Sequence, residues 1–267
     1  MASLREFERE AAILRELSRS GRVEVNDLAQ SFGVSAVTAR KDLENLERRS
    51  MLRRVRGGAV SVGTSDEGFF EFRQKVATAA KHAIASHARQ FVRPGDVIVL
   101  DSSTTCFALA QVVCDIQPLT VVTNGLRTAE YLLANSRAMV IMPGGIIRRA
   151  SESMVGFFDE TLTNRGRIDK GFFGLVGLST ELGLLDLSPE EAQAKAMLAK
   201  PCRDVYALFD ASKAERFATH PFLAADRVKA MVSDRGVPAE MHRAWTDRGI
   251  RWDLVDPKPV TALKGCS

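Results

Sequence analysis

The chain has 267 residues, of which 45% are hydrophobic and 26% charged, ordinary values for a globular protein with room for one large or two smaller domains. No apolar run reaches the ~18 residues a spanning helix needs, and the N-terminal MASLREFEREAAIL lacks the apolar stretch of a signal peptide, so no membrane partner and a cytoplasmic location are expected. The formal net charge is only +4, too small by itself to mark a nucleic-acid binder, and its placement along the chain is the informative part.

Phe7, Ala11, Leu14 and Leu17 recur at helical spacing and predict a first helix with one apolar face. Ser20-Gly21 ends it, and Val23-Glu24-Val25 reads as a short extended link. Asn26 is placed to cap a second helix carrying Leu28, Ala29 and Phe32, which Gly33 stops. Ser35 caps a third, in which Ala39, Leu43 and Leu46 face inward at i, i+4 and i+7. Ala36, Val37, Arg40 and Lys41 are left on its outer face near the N-terminus. Two helices, a tight glycine turn and a third helix with a small, basic leading face describe a helix-turn-helix. Small residues at 36 and 37 let the backbone approach base edges, while Thr38 and Arg40 can reach phosphates or bases.

Beyond this helix, the stretch from Met51 to Val60 alternates apolar and basic residues and turns at Gly57-Gly58. It predicts a two-stranded wing whose Arg53, Arg54 and Arg56 lie along a sugar-phosphate backbone. Residues 36–60 hold seven Lys/Arg against three acids, an excess equal to the net charge of the whole chain. Such clustering draws a phosphate backbone through counterion release. A solvated basic face on a small helical subdomain has the same composition. The order of cap, small outer face, basic pair and arginine wing favours double-stranded DNA.

The stretch EREAAILRELSRSGRVEVNDLAQSFGVSAVTARKDLENLERRSMLRRVRGGA resembles the winged helix-turn-helix of DeoR-type bacterial transcription regulators, whose signature is VSxxTIRRDLxxLxxxGxLxRxxGGA. Val34, Ser35, Thr38, Arg40, Asp42, Leu43, Leu46, Leu52, Arg54, Gly57, Gly58 and Ala59 match it. Ala39 departs from the usual Ile, Lys41 from Arg and Ser50 from Gly, and none of these removes the DNA-facing chemistry.

Residues 61–68, SVGTSDEG, read as a linker between domains. A long helix is expected over 69–93, closed by Pro94-Gly95. Short apolar runs at 97–100, 120–123, 139–142, 172–176 and 205–209, with 228–232 and 250–255 as two more, then alternate with helical segments. That alternation predicts a mostly parallel sheet with helices on both faces. The fold class is therefore α/β: a small N-terminal winged helix-turn-helix over 1–60, the 61–68 linker, a larger α/β domain over 69–257 and a tail over 258–267.

Small polar residues follow the strand ends: Asp101, Ser102, Ser103, Thr104, Thr105, Asn124, Gly144, Gly145, Asp210, Ser212 and Lys213. In open α/β sheets the carboxyl ends of the strands border the ligand crevice. Hydroxyls and backbone N–H groups at a helix start make an anion site, which SSTT supplies. Lys213 adds a charge for phosphate, while Asp101, Asp210 and Glu191 can accept hydrogen bonds from hydroxyls. Phosphate at one end and hydroxyls along the rest describe a sugar phosphate or polyol phosphate. Asp, Asn, Ser and Gly are also common in any βα loop.

The motifs LDSSTTCFALA, VVTNGL, MPGGIIRRASESMVG, IDKGFFGLVGL, EEAQAKAM and ALFDASK appear in the order of the DeoR-type sensor domain, to which this region is similar; that domain shares its fold with ribose-5-phosphate isomerase and senses phosphorylated sugars or their derivatives. The resemblance places Asp101, Ser103, Thr104, Thr105, Asn124, Gly144, Gly145, Gly177, Glu191, Lys195, Asp210 and Lys213 around an effector pocket. Ser103 stands where many relatives have Gly, which puts the identity of the effector in question.

No G-x-G-x-x-G, Walker loop or G-x-S-x-G elbow occurs. Cys106, Cys114, Cys202 and Cys266 form no C-x-x-C pair, and His82, His87, His220 and His242 are not spaced as ligands. No cofactor, metal or catalytic group is expected. Arg148-Arg149 reads as solvated surface. The favoured function is a DNA-binding transcriptional regulator, a repressor of carbohydrate genes, acting as a homodimer or homotetramer. The competing one is a sugar-phosphate isomerase with Asp101, Asp210 or Glu191 as acid/base and Lys213 as clamp.

Overall fold

The computed structural model describes residues 9–257 except 11, 15, 18, 19, 49–51, 61–68, 157–167 and 217. The expected linker over 61–68, the tail over 258–267, and Phe7 and Ala11 of the first helix lie outside the described residues. The chain divides into two compact units, Met1–Phe72 and Arg73–Ser267.

In the first unit, a helix α1, described within residues 9–20, precedes β1 (Arg22–Glu24), α2 (Val25–Phe32), α3 (Ala36–Arg48), β2 (Arg53–Val55) and β3 (Gly58–Val60). The helical spacing reads through to the packing: Ile13, Leu17, Leu28, Ala39, Leu43 and Leu46 share one core. Gly33 ends α2 in the left-handed region at φ 62°, where a Cβ is costly. Two local expectations are corrected. Val25 begins α2, with Glu24 at the cap making no side-chain bond, so Asn26 lies inside the helix. The extended link at 22–24 is a strand paired antiparallel with β3, which makes the wing three-stranded in the order β1-β3-β2. Gly58 is needed at that pairing, since a Cβ there would lie 1.9 Å from the Val23 carbonyl oxygen.

The division falls within α4 (Phe70–Lys75), and α5 (Thr78–Ala88) belongs to the second unit. The helix expected over 69–93 is broken at Ala77, which takes a left-handed φ of 52°, and its last turn, Arg89–Phe91, is 3-10. The chain then runs through β4 (Val97–Leu100), α6 (Thr104–Val113), β5 (Thr120–Thr123), α7 (Leu126–Asn135), β6 (Met139–Ile141), β7 (Ile146–Arg148), β8 (Ser153–Val155), β9 (Ile168–Phe173), β10 (Gly177–Ser179), β11 (Gly183–Asp186), α8 (Pro189–Ala199), β12 (Cys202–Leu208), β13 (His220–Leu223), β14 (Val228–Asp234), α9 (Ala239–Thr246) and β15 (Arg251–Val255). Seven strands form one parallel sheet in the order β15-β14-β12-β9-β4-β5-β6.

Alternation along β4 shows why its residues are all apolar. Ile98 and Leu100 join a cluster with Ile84 of α5 and Leu109 of α6, whereas Val99 joins one with Leu198 of α8 and Trp245 of α9. β4 is thus covered on both faces, as the inner strands of a parallel sheet require. The fourth expected strand starts earlier and stops at Phe173, which leaves Gly174, Leu175 and Val176 as loop. The β7–β8 hairpin and the antiparallel β10-β11-β13 sheet had no strong periodic signal.

Candidate functional site

The residues singled out from the sequence fall on two surfaces, one in each unit. At the start of α3 the Ser35 hydroxyl oxygen accepts the Thr38 N–H at 3.1 Å and lies 3.0 Å from the Thr38 hydroxyl, the bonding of a helix cap. Val37 is 72% exposed, so its side chain is available on the outer face of the helix. Ala36 is half-buried, and Arg40 and Lys41 are exposed beside it. In the wing, Arg53, Arg54, Arg56 and Gly57 are exposed, with Gly57 turning the hairpin at φ 85°. Arg54 is less available than its composition implied. Its guanidinium meets Glu44 of α3 at 2.8 Å and its N–H donates to Glu47 at 2.8 Å, so it ties β2 to the helix. Gly58 is buried against β1 and serves the sheet.

In the second unit the chain leaves β4 for β5 and β6, then returns to β9 on the other side of β4. The crevice of a doubly wound sheet opens at such a reversal. Asp101, at the end of β4, is fully buried. Its Oδ1 accepts the Ser103 N–H at 3.0 Å and its Oδ2 accepts the Gly174 N–H, from the loop after β9, at 2.9 Å. Ser103 caps α6 by accepting the Cys106 N–H at 3.2 Å, and Thr104 and Thr105 are buried in the first turn. The loops are closely pressed: a Cβ on Gly174 would sit 2.4 Å from that of Ser103.

Lys195 of α8 underlies this arrangement. Its ammonium lies 2.7 Å from Asp186 Oδ2 and 3.4 Å from Asp101 Oδ2, and donates to the Gly174 carbonyl at 3.0 Å. It also sits 5.2 Å from the centre of the Phe222 ring. All three charged groups are buried, a situation tolerated only when charges are mutually paired.

Glu191, one turn earlier on α8, gathers the 146–155 hairpin. Its Oε1 accepts from Arg148 at 2.9 Å, from the Ser151 hydroxyl at 2.8 Å and from the Ser153 hydroxyl. Arg148 is therefore half-buried and paired, which corrects its reading as solvated surface. Asn124 ties the end of β5 to the same hairpin, donating to the Met154 carbonyl at 3.0 Å. Two buried acceptors here have no hydrogen-bond partner: Asn124 Oδ1 and Glu191 Oε2. Buried acceptors of this kind call for a donor, which a bound water or ligand supplies.

Gly144 and Gly145 are exposed with positive φ and open the hairpin, where a Cβ on Gly145 would lie 2.4 Å from the Val155 carbonyl. Gly177 makes a similar backbone approach, 2.3 Å from its Cβ position to the Arg216 carbonyl. All three serve the chain path. Ser102 lies against Gly125, 3.0 Å from where a Cβ would stand. Asp210 accepts the Ser212 N–H at 3.2 Å and caps the turn that carries Lys213, which is half-buried. A cavity of about 520 Å³ is lined by Leu126, Arg127, Glu130, Ile147, Arg149 and Glu152, so none of the expected effector residues walls it. Arg127 there is already held by Glu130 at 3.3 Å and Glu152 at 3.2 Å.

Sequence reasoning missed Asp186, Gly174, Arg148, Ser151, Ser153 and Lys81. Asp186 had a signal, since it ends the apolar run GLLD just as Asp101 ends VIVL. Burial at Lys81 had none.

Residues 9–65 match the DeoR-like helix-turn-helix domain and residues 76–235 match the DeoR C terminal sensor domain. The chain is 32% identical to the HTH-type transcriptional regulator GolR of Listeria innocua, over 91% of this chain and 96% of that protein. It is 26% identical to the glycerol-3-phosphate regulon repressor of Escherichia coli K12, over 94% and 100%. Among solved structures, ribose 5-phosphate isomerase from Plasmodium falciparum covers 51% of this chain and 52% of its own at 12% identity and a TM-score of 0.38, a likeness too slight to bear on function.

Proposed function

The chain belongs to the DeoR family of transcriptional regulators, and from that premise we propose that it is a repressor of carbohydrate genes whose hold on its operator changes when a phosphorylated sugar enters the crevice between β4 and β9. Membership in a family of regulators sets the isomerase alternative aside. The observation that carries the effector reading is the pair of orphaned acceptors, Asn124 Oδ1 and Glu191 Oε2. Acceptors call for donors, and the hydroxyls of a sugar supply them. They adjoin the capped start of α6, whose free N–H groups favour an anion. Ser102 touches Gly125, Gly125 bridges to Ser153, and Ser153 bonds Glu191, so phosphate and hydroxyl positions fall within one small ligand.

In this reading Ser35, Ala36, Val37, Thr38, Arg40, Lys41 and the wing arginines meet DNA, while Ser102–Thr105, Asn124, Glu191, Asp210 and Lys213 meet the effector. Lys195 holds Asp101 in place beneath them. The 61–68 stretch links the two functions. A homodimer or homotetramer in the cytoplasm matches the two-fold symmetry with which a helix-turn-helix reads paired half-sites. The relative that represses a glycerol-3-phosphate regulon supports both the repressor direction and a phosphorylated effector.

Fluorescence anisotropy on a duplex from the chain's own promoter tests this, with a panel of sugar phosphates added. The effector must bind one state more tightly than the other to shift DNA affinity at all. Arg40→Ala is expected to weaken operator binding by roughly tenfold or more and to flatten its salt dependence by about one ion, with ligand binding unchanged. Lys213→Ala is expected to bind the operator normally and lose the ligand response. Normal operator binding by Arg40→Ala removes α3 as the reading helix.

A further inference from the structure

Lys81 lies in the first turn of α5 and is 5% exposed. Its ammonium donates to the Val76 carbonyl at 2.6 Å and also to that of Arg73. These carbonyls belong to the end of α4 and the break after it, where intrahelical donors run out and a cation is favoured. The Thr78 hydroxyl adds a bond to the Lys75 carbonyl at 3.1 Å. Between the helices Ala77 is left-handed, a conformation that costs energy for a residue with a Cβ. Side chains of α5 therefore hold a strained joint closed. The joint has a particular address in the chain: Phe70 to Phe72 of α4 belong to the DNA-binding unit and Arg73 onward to the sensor.

α5 runs down toward the start of β4 and packs on β12 and β14, so its first turn, with Lys81, stands at the carboxyl edge of the sheet, where β12 passes into the Asp210–Lys213 turn. Burial is the strongest influence on Lys81 and brings its pKa down to about 8; Asp210 opposes that, while Lys213 and Arg73 add to it. At neutral pH the group is still largely an ammonium, held by neutral carbonyls. A phosphate dianion is a far stronger partner for an ammonium than a carbonyl is.

We propose that Lys81 is the positioning residue that couples the crevice to the α4–α5 joint: an anion seated at the Asp210–Lys213 turn draws the Lys81 ammonium off the Arg73 and Val76 carbonyls and lets the Ala77 turn relax. The coupling rests on the reading that this turn receives the phosphate of the effector. It supplies a physical path from an occupied crevice to the segment leading into the DNA-binding unit, with two distinct arrangements of one buried charge at its centre.

Hydrogen exchange on the full-length protein tests it, with inorganic phosphate against chloride at one pH and equal ionic strength. Wild type, Lys81→Arg and Lys81→Met are compared. Phosphate is expected to slow exchange at 210–213 in all three. At 73–81 it is expected to speed exchange about tenfold in wild type and Lys81→Arg, the scale of one charge-assisted hydrogen bond. In Lys81→Met the 73–81 segment is expected to ignore phosphate. If 210–213 is protected but 73–81 is indifferent in wild type, or responds equally in Lys81→Met, the coupling is overturned and the pocket stands. If 210–213 is unaffected in wild type, the pocket reading fails and takes the coupling with it. Should Lys81→Met not fold, wild type alone decides the matter, because its 73–81 response must fade as pH rises past about 8 and the amine loses its charge; a response undiminished there overturns the coupling.

Discussion

Replacing Lys195 with Met is expected to cost the sensor unit about 3–5 kcal/mol of stability and to abolish the effector response, because it strips the ammonium from two buried carboxylates. Asp101 and Asp186 are both fully buried, and Lys195 lies within 3.4 Å of each. The side chain itself is poorly placed to be lost for steric reasons, since Met fills a similar volume along the same path over Phe222. Chemical denaturation followed by tryptophan fluorescence measures the loss cleanly. The chain has two tryptophans, Trp245 and Trp252, and both are buried in the second unit. A loss below about 1 kcal/mol, the scale of an exposed pair, contradicts the charge cluster as the support of the crevice.

The second large effect is expected in the other unit. Asp42 matches the acidic position of the family signature and is buried. Its side chain accepts a two-pronged contact from Arg9, with Nε at 2.8 Å and Nη2 at 3.0 Å. Asp42→Ala breaks that pair and leaves a guanidinium whose side chain is only 18% exposed. A cost of about 3 kcal/mol to the DNA-binding unit follows, at the lower end for a broken buried pair because Arg9 retains some water. Operator binding is expected to fail at temperatures where the sensor still folds. Far-UV circular dichroism should therefore lose helix early while the tryptophan transition, which reports the sensor, stays in place. An unchanged circular dichroism melt discards the pair as a structural element.

Both variants act through contacts that no local pattern announces. Ala39, Leu43 and Leu46 are readable as an inward face because three residues within eight positions satisfy one helical period, and all three are buried. The apolar runs of the central strands are readable for the same kind of reason. By contrast, Arg54 reads as a free wing cation because its partner, Glu44, lies ten positions away. Arg148 reads as solvated because its partner, Glu191, lies 43 positions on. The helix over 69–93 reads as continuous because its apolar spacing is unbroken. The break at Ala77 follows from the bonds that Lys81 and Thr78 make to the end of α4, which spacing does not encode.

Composition and order within short windows determined where the positive charge gathers, which segments are helices or buried strands, and that a DNA-binding module precedes an α/β sensor. Those properties depend on neighbours in the chain, whose relative positions are known before folding. Which buried charge answers which was decided by the tertiary structure alone: Asp42 by Arg9, Asp101 and Asp186 by Lys195, Glu191 by Arg148, and the end of α4 by Lys81. Charge pairs of this kind gain their strength at contact distance and in a dry interior, conditions that exist only after distant stretches of chain have been packed together.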